Sequence, residues 1–310
     1  MLARYQPRFF SASKPASLAG GDRRPVGLVA GWGRFPVLVA EALVRNQQPV
    51  VCVALSGLAD RSLESICDDV RWLGVGKLGG HMRFFRRHGV HGVTMAGKLF
   101  KAELLFQRSV VWSQWPDLEC IRTFAPHFIF RHSDTRDDSL LTAVTDAFER
   151  NGMEVRPATD FAPELLVEKG SLTQLKPSAG QRRDIRFGWT IAKQMGGLDI
   201  GQAITVRDGT VIAVEAVEGT DACIDRSGTL CRRGGWTLIK VAKPAQDMRF
   251  DVPTIGPQTV ERVHAAGGRA IAIEAERTIV VDAAETAALA DRLGVAIVAI
   301  DAADADAEVA

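Results

Sequence analysis

The stretch PVGLVAGWGRFPVLVAEALVRN, Pro25 to Asn46, decides the fold of the first half of the chain. A short apolar run, VGLVA, meets a glycine turn, and a segment with apolar residues at helical spacing follows at once. Such a run reads as a strand buried on both faces. FPVLVAEALVRN reads as a helix, with Pro36 in its first turn, where a missing N–H costs nothing. The alternation continues through PVVCVAL, HMRFFRRHG, VHGVTMAG, SLLTAVTDAFERNG and MEVRP. It predicts an α/β domain with a mostly parallel sheet and helices on its faces. We place this domain over 25–162, after an extension at 1–24 that is expected to be disordered.

Beyond the Pro- and Gly-bearing segment Asp160–Gly180, the expected linker, the pattern changes. RRDIRFGWTIAKQMGG reads as an amphipathic helix, and ITVRDGTVIAVEAV as two strands joined by Asp208-Gly209, a strong hairpin signal. Helix, two strands, helix and strand then follow through GPQTVERVHAAGG, RAIAIEA, RTIVVDA, ETAALADRLG and VAIVAI. A second, separate α/β domain with antiparallel content is expected over 163–300, and an acidic tail over 301–310.

The chain of 310 residues, 46% hydrophobic, can fill two cores, and its net charge of +1 argues against a nucleic-acid partner, which would need a basic stripe. Five scattered cysteines, Cys52, Cys67, Cys120, Cys223 and Cys231, form no C-x-x-C pair and suggest neither disulfides nor zinc. These cysteines point to a reducing cytoplasm, and with no apolar run long enough to span a bilayer the protein is not expected to be integral to a membrane. The composition leaves room for a homo-oligomer.

The chemistry concentrates between Ala213 and Gly256. VIAVEAV, Val211 to Val217, reads as a strand that delivers Glu215 and, just beyond it, Glu218, Thr220 and Asp221. TLIKVAK, Thr237 to Lys243, reads as a second strand bearing Lys240 and Lys243, with Asp247, Arg249 and Asp251 close behind. Carboxylates suit Mg²⁺, which binds through one or two of them plus substrate phosphates, and lysines neutralise phosphoryl oxygens. Singly, each of these residues is equally at home as a solvated charge at a strand end.

Three motifs in the first half bear on anions. Gly31, Gly33 and Arg34 occupy the place of the G-x-G-x-x-G turn that seats phosphates on a helix N-terminus, but Pro36 replaces the third glycine and Ser56-Gly57 stands where a ribose-binding acid belongs. GVTMAGKL imitates a P-loop until Leu99 replaces the hydroxyl residue, which leaves Gly97 and Lys98 as a strand-end phosphate contact. Arg83, Arg86 and Arg87, with Phe84 and Phe85 packing inward, could face an anionic membrane surface. His81, His88 and His91 flank this run and read as the surroundings of a solvated helix end.

Taken together, AGWGRFP, the AGK turn at Ala96 to Lys98, DDSLL, FGWTIAKQMGGLDIGQ, AVEAVEGTD and VAKPAQDMRFDVPTIGP resemble the UDP-2,3-diacylglucosamine pyrophosphatases of lipid A biosynthesis of the LpxI type, unrelated to the metallophosphoesterases. The likeness covers about Pro25 to Ile300. It implies a Rossmann-like N-terminal domain, a separate C-terminal domain, and a lipid-linked UDP-sugar held between them. It also implies Mg²⁺-dependent attack of water on the α-phosphorus to give UMP and 2,3-diacylglucosamine 1-phosphate. On this resemblance Asp221, the acid of EGTD, is essential; in the hydrolase reading of the residues it would help bind Mg²⁺ or orient water, with Glu218 assisting at the metal. Lys240 and Lys243 would stabilise phosphoryl charge, while Gly31, Gly33, Arg34, Gly97, Lys98, Thr220 and Asp251 would bind substrate. The cytoplasmic enzyme would touch the inner face of the inner membrane. The D-x-H and G-N-H-[DE] motifs of the metallophosphoesterases are absent. Two other readings stay open: a non-catalytic nucleotide-sugar or lipid-binding protein, and an NAD-linked oxidoreductase, against which Pro36 and the missing ribose acid both count.

Overall fold

The structure, a computed structural model, describes residues 24–97, 116–129, 137–249 and 251–306. Lys98, the extension up to residue 23 and the last four residues lie outside them.

Five strands form the first sheet: β1 (Val26–Ala30), β2 (Val50–Leu55), β3 (Asp69–Leu73), β4 (Gly92–Ala96) and β5 (Glu154–Val155). Their spatial order is β3-β2-β1-β4-β5, and every pairing is parallel. This is the Rossmann arrangement, whose strand order reverses between β1 and β4 and opens a crevice beyond their carboxyl ends. β1 and β2 are buried along their whole length, as their unbroken apolar runs predict. The helix Phe35–Arg45 packs Val37, Ala40 and Leu43 on one face of the sheet, against Leu28 and Ala30. Leu78–Arg87 and Asp137–Arg150 bring Phe84, Phe85 and Phe148 to the other face. Each side chain buried this fully, Leu28 or Leu43 for example, contributes about 1.5–3 kcal/mol by leaving water.

The second domain is a six-stranded mixed sheet in the order β6 (Gly170–Ser171), β13 (Ala296–Ile300), β11 (Ala270–Glu274), β9 (Thr237–Lys240), β7 (Ala203–Arg207) and β8 (Thr210–Val214). β9, β11 and β13 run parallel, whereas β6, β7 and β8 supply the expected antiparallel content. β10 (Thr254–Ile255) and β12 (Ile279–Val280) form a separate parallel ribbon. The helix Ala179–Gly197 begins with a capping box at Ser178 and Gln181 and lays Ile185, Trp189 and Ala192 on one face, against Ile204, Ile239 and Val241. The opposite face packs Trp236, Leu238, Ile271 and Ile273 with Ile224, Val260 and Ala290 from the helices Gly219–Leu230, Pro257–Ala265 and Ala283–Leu293.

The Asp208-Gly209 hairpin forms as read, both residues having positive φ (49° and 71°). Two expected strands end early. β8 stops at Val214, because the Ala216 N–H turns to the Glu218 carboxylate at 3.2 Å. β9 stops at Lys240, because the Ala242 N–H leaves the ladder for Glu274 at 2.7 Å. The expected linker is also more than a tether. Val167 donates its N–H to Thr278 and Gly170–Ser171 pairs with β13, so the chain joins the second domain well before Gly180.

Candidate active site

One edge of the second sheet gathers most of the charged residues singled out above. Ala203 of β7 pairs with Lys240 on one side and accepts the Glu215 N–H on the other, at 2.8 Å. Glu215 and Lys240 therefore lie one intervening strand apart, about 10 Å across the ladder. Next in the row comes Glu274, which follows Ile273, the register partner of Lys240. The approach is so close that a Cβ on Gly201 would sit 2.1 Å from the Glu215 carbonyl oxygen, which makes glycine obligatory there.

EGTD is not a loose turn but the opening of the helix Gly219–Leu230, entered through Gly219 at φ +82°. Glu215, 7% exposed, accepts the Thr220 hydroxyl at 2.9 Å, so Thr220 orients that buried acid. Glu218 stands at the N-cap and pairs with Arg226 at 2.8 Å. Its own backbone N–H and the Arg226 guanidinium hold its carboxyl below the usual range, so it is ionised at neutral pH. Asp221 lies in the first helical turn with its side chain 63% exposed, 3.9 Å from Arg262, whose guanidinium is taken up more closely by Asp225 at 2.6 Å. Of the motif's acids, Asp221 is thus the one presented to an incoming group.

The loop after β9 is closed at its neck, where the Lys240 ammonium, in a residue only 8% exposed, donates to the Thr254 carbonyl at 3.0 Å. Lys243 pairs with Asp199 at 2.6 Å and donates its N–H to Gln246 Oε1 at 2.8 Å, while Gln246 Nε2 reaches Asp251. Arg249 binds Asp247 at 2.7 Å and extends to Glu149 of the first domain at 3.5 Å.

The first domain meets this region from its switch point. A Cβ on Gly97, at φ +95°, would lie 2.8 Å from both the Gly31 carbonyl carbon and the Pro36 ring and 2.9 Å from the Trp32 oxygen, so the turn after β1 packs directly on the end of β4. Gly33 also has positive φ (105°), where the turn enters the helix. The Arg34 guanidinium is engaged by Glu41 at 3.1 Å and by Asp282 of the second domain at 3.4 Å, and so bridges the two domains.

His81 is not at a solvated end. It is buried inside its helix with Nε2 at 3.0 Å from the Gly74 carbonyl oxygen, while His88 packs between Phe84 and Asp69. Arg83, Arg86 and Arg87 are exposed and Phe84 and Phe85 buried, as the helical spacing predicts. Among the described residues no three His, Cys, Asp or Glu side chains converge on a metal position, and no helix is long and apolar enough to cross a membrane. Magnesium held by one or two carboxylates and completed by substrate phosphates needs no such cage. Glu218 and Asp221 stand three residues apart at one helix start, the Glu218 oxygens engaged by Arg226 and the Ala216 N–H and the Asp221 carboxylate exposed.

Sequence reasoning missed Glu274, Lys193 and Gln246. For Glu274 the signal was visible: AIAIE is an otherwise fully apolar strand that ends in an acid.

Comparison with known proteins matches residues 25–165 to the LpxI N-terminal domain and 168–298 to the LpxI C-terminal domain. A Caulobacter vibrioides protein named UDP-2,3-diacylglucosamine pyrophosphatase LpxI is 33% identical over 287 residues, spanning 90% of this chain and 98% of its own.

Proposed function

The chain belongs to the LpxI family, and from that premise we propose that it hydrolyses the pyrophosphate of UDP-2,3-diacylglucosamine, giving UMP and 2,3-diacylglucosamine 1-phosphate. The observation that carries this reading is the carboxyl end of the second sheet, where Glu215, held by Thr220 of EGTD, and Lys240, at the neck of the Lys240–Thr254 loop, lie one strand apart within the length matched to a pyrophosphatase. A water oxygen attacks the α-phosphorus and its P–O bond forms as the bond to the bridging oxygen breaks. The sugar phosphate leaves with that oxygen, and the water proton passes to a base. Asp221, exposed in the helix's first turn, is placed to orient the water or take its proton. Lys243, on the loop that leaves β9, stabilises charge on the phosphoryl oxygens. The Gly31–Gly33 turn and Gly97 offer backbone to the remaining phosphate or the nucleotide from the first domain.

Mg²⁺, held by Asp221 and Glu218, would supply charge neutralisation at the pyrophosphate. The test is UMP release from the diacylated UDP-sugar. Turnover with Mg²⁺ that stops with EDTA and returns on Mg²⁺ addition is expected. Turnover untouched by EDTA removes the metal, and tight binding without turnover removes the hydrolase.

A further inference from the structure

Glu274 closes β11 with a carboxylate in a residue only 8% exposed. Burying such a charge is costly unless its oxygens are matched by donors, and here they are. Oε1 accepts from the Lys193 ammonium at 2.7 Å, and Oε2 accepts both from that ammonium and from the Ala242 N–H, each at 2.7 Å. Lys193 in turn donates to the Ala242 carbonyl at 3.0 Å and lies 5.6 Å from the centre of the Trp189 ring, within cation–π range. The backbone N–H and carbonyl of Ala242 are therefore both held by one partly buried ion pair. Ala242 sits between Lys240 and Lys243, at the point where the chain leaves the sheet to form the Lys240–Thr254 loop.

We propose that Glu274, together with Lys193, is a positioning residue for that loop, and that it acts on the substrate's phosphates only through Lys243. This rests on the reading of the loop as the phosphate-binding segment. The chain of contacts is continuous. Glu274 fixes Ala242; the next residue, Lys243, gives its N–H to Gln246; and Gln246 ties the loop's far side through Asp251. A loop of this length, left to solvent, would sample many conformers and spend binding energy on ordering itself. Anchoring it beforehand removes that cost and keeps Lys243 within the fraction of an ångström that phosphoryl stabilisation needs.

The test separates position from stability. Glu274→Ala removes the acceptor for Ala242, whereas Glu274→Gln keeps an amide oxygen for it; both leave Lys193 without a countercharge and should lower Tm alike. The expected result is a fall of about tenfold or more in kcat for Glu274→Ala at temperatures where it is fully folded, with most of the rate recovered in Glu274→Gln. Gln246→Ala, a partly exposed site that tolerates truncation, should lower kcat several-fold with an unchanged Tm, and it carries the test if Glu274→Ala fails to fold. Rates that track Tm across these variants, or wild-type rates in both Glu274→Ala and Gln246→Ala, overturn the positioning role. Lys243→Ala distinguishes the two layers of argument. If Lys243→Ala turns over like wild type, the loop is not the phosphate site and the positioning role falls with it. If Lys243→Ala is slow while Glu274→Ala is not, only the positioning role falls.

Discussion

The two domains both present the carboxyl ends of parallel strands, yet they equip them in opposite ways. At the first domain's switch point, Gly31, Gly33 and Gly97 let the turn pack without side chains, and among the described residues there Arg34 is engaged by Glu41 and Asp282. At the carboxyl end of the second domain's sheet, Glu215, Lys240 and Glu274 form one row, and Thr220, the Thr254 carbonyl and Lys193 hold their charges, while Glu218 and Asp221 open the helix that follows Glu215. On the proposed function the difference divides the tasks: the glycine crevice, which among its described residues offers no proton acceptor, would seat the ligand, whereas the charged end of the second sheet would do the chemistry and must be held against its own repulsion and desolvation. Contacts such as Arg249–Glu149 and Arg34–Asp282 then bring the two together without locking them, being exposed pairs worth at most about 1 kcal/mol each.

The sharpest way to break this division is Asp221→Ala. If chemistry belongs to the second domain, kcat for UMP release should fall by at least about a hundredfold while substrate affinity is kept. Asp225→Ala, which removes only a surface partner of Arg262, should be close to silent. Turnover of Asp221→Ala within a few fold of wild type would move the chemistry elsewhere.

The domains should also differ in their response to acid. Burial pushes the His81 imidazole down to about 4, against a weak opposing pull from the Gly74 carbonyl and Asp117. Between about pH 6.5 and 4 the unfolded chain takes up a proton that the folded first domain refuses, so stability is complete above that window and is lost as pH falls through it. The whole loss amounts to about 3 kcal/mol. Denaturant titrations at pH 7 and pH 5 should show it in the wild type and a flatter dependence in His81→Gln; identical slopes would end the assignment.

Gly97→Ala probes the crevice. The substitution forces a side chain into positive φ and against the Gly31 and Trp32 backbone, at a cost of about 1–3 kcal/mol. The expected outcome is a fall in Tm together with a rise in KM that exceeds any fall in kcat. A kcat loss as large as that of Asp221→Ala would mean that the first domain shares in the chemistry.

Much of this was legible in the sequence. Strand-helix alternation from Pro25 onward, the Asp208-Gly209 turn and the helix after Ser178 all follow from period and turn chemistry, which act over a few residues. The EGTD and VAKPAQD segments advertised charge at strand ends. What could not be read was how those charges are spent. Lys240 reads as a phosphate ligand, but its ammonium closes a loop on Thr254; Arg34 reads as an anion site, but it faces two carboxylates. Nor does any local pattern mark that Asp184, in the helix after Ser178, accepts the hairpin's Asp208 and Gly209 N–H groups at 3.1 and 2.8 Å.

By itself, then, the sequence determined the elements, the doubly layered α/β class and the family, because each depends on patterns local along the chain. Tertiary structure alone decided that Glu274 grips a peptide 32 residues away and an ammonium 81 residues away. Those partners meet only once the strand order β11-β9-β7 has been set, and that order is chosen by the packing of whole sheet faces rather than by any neighbouring residue.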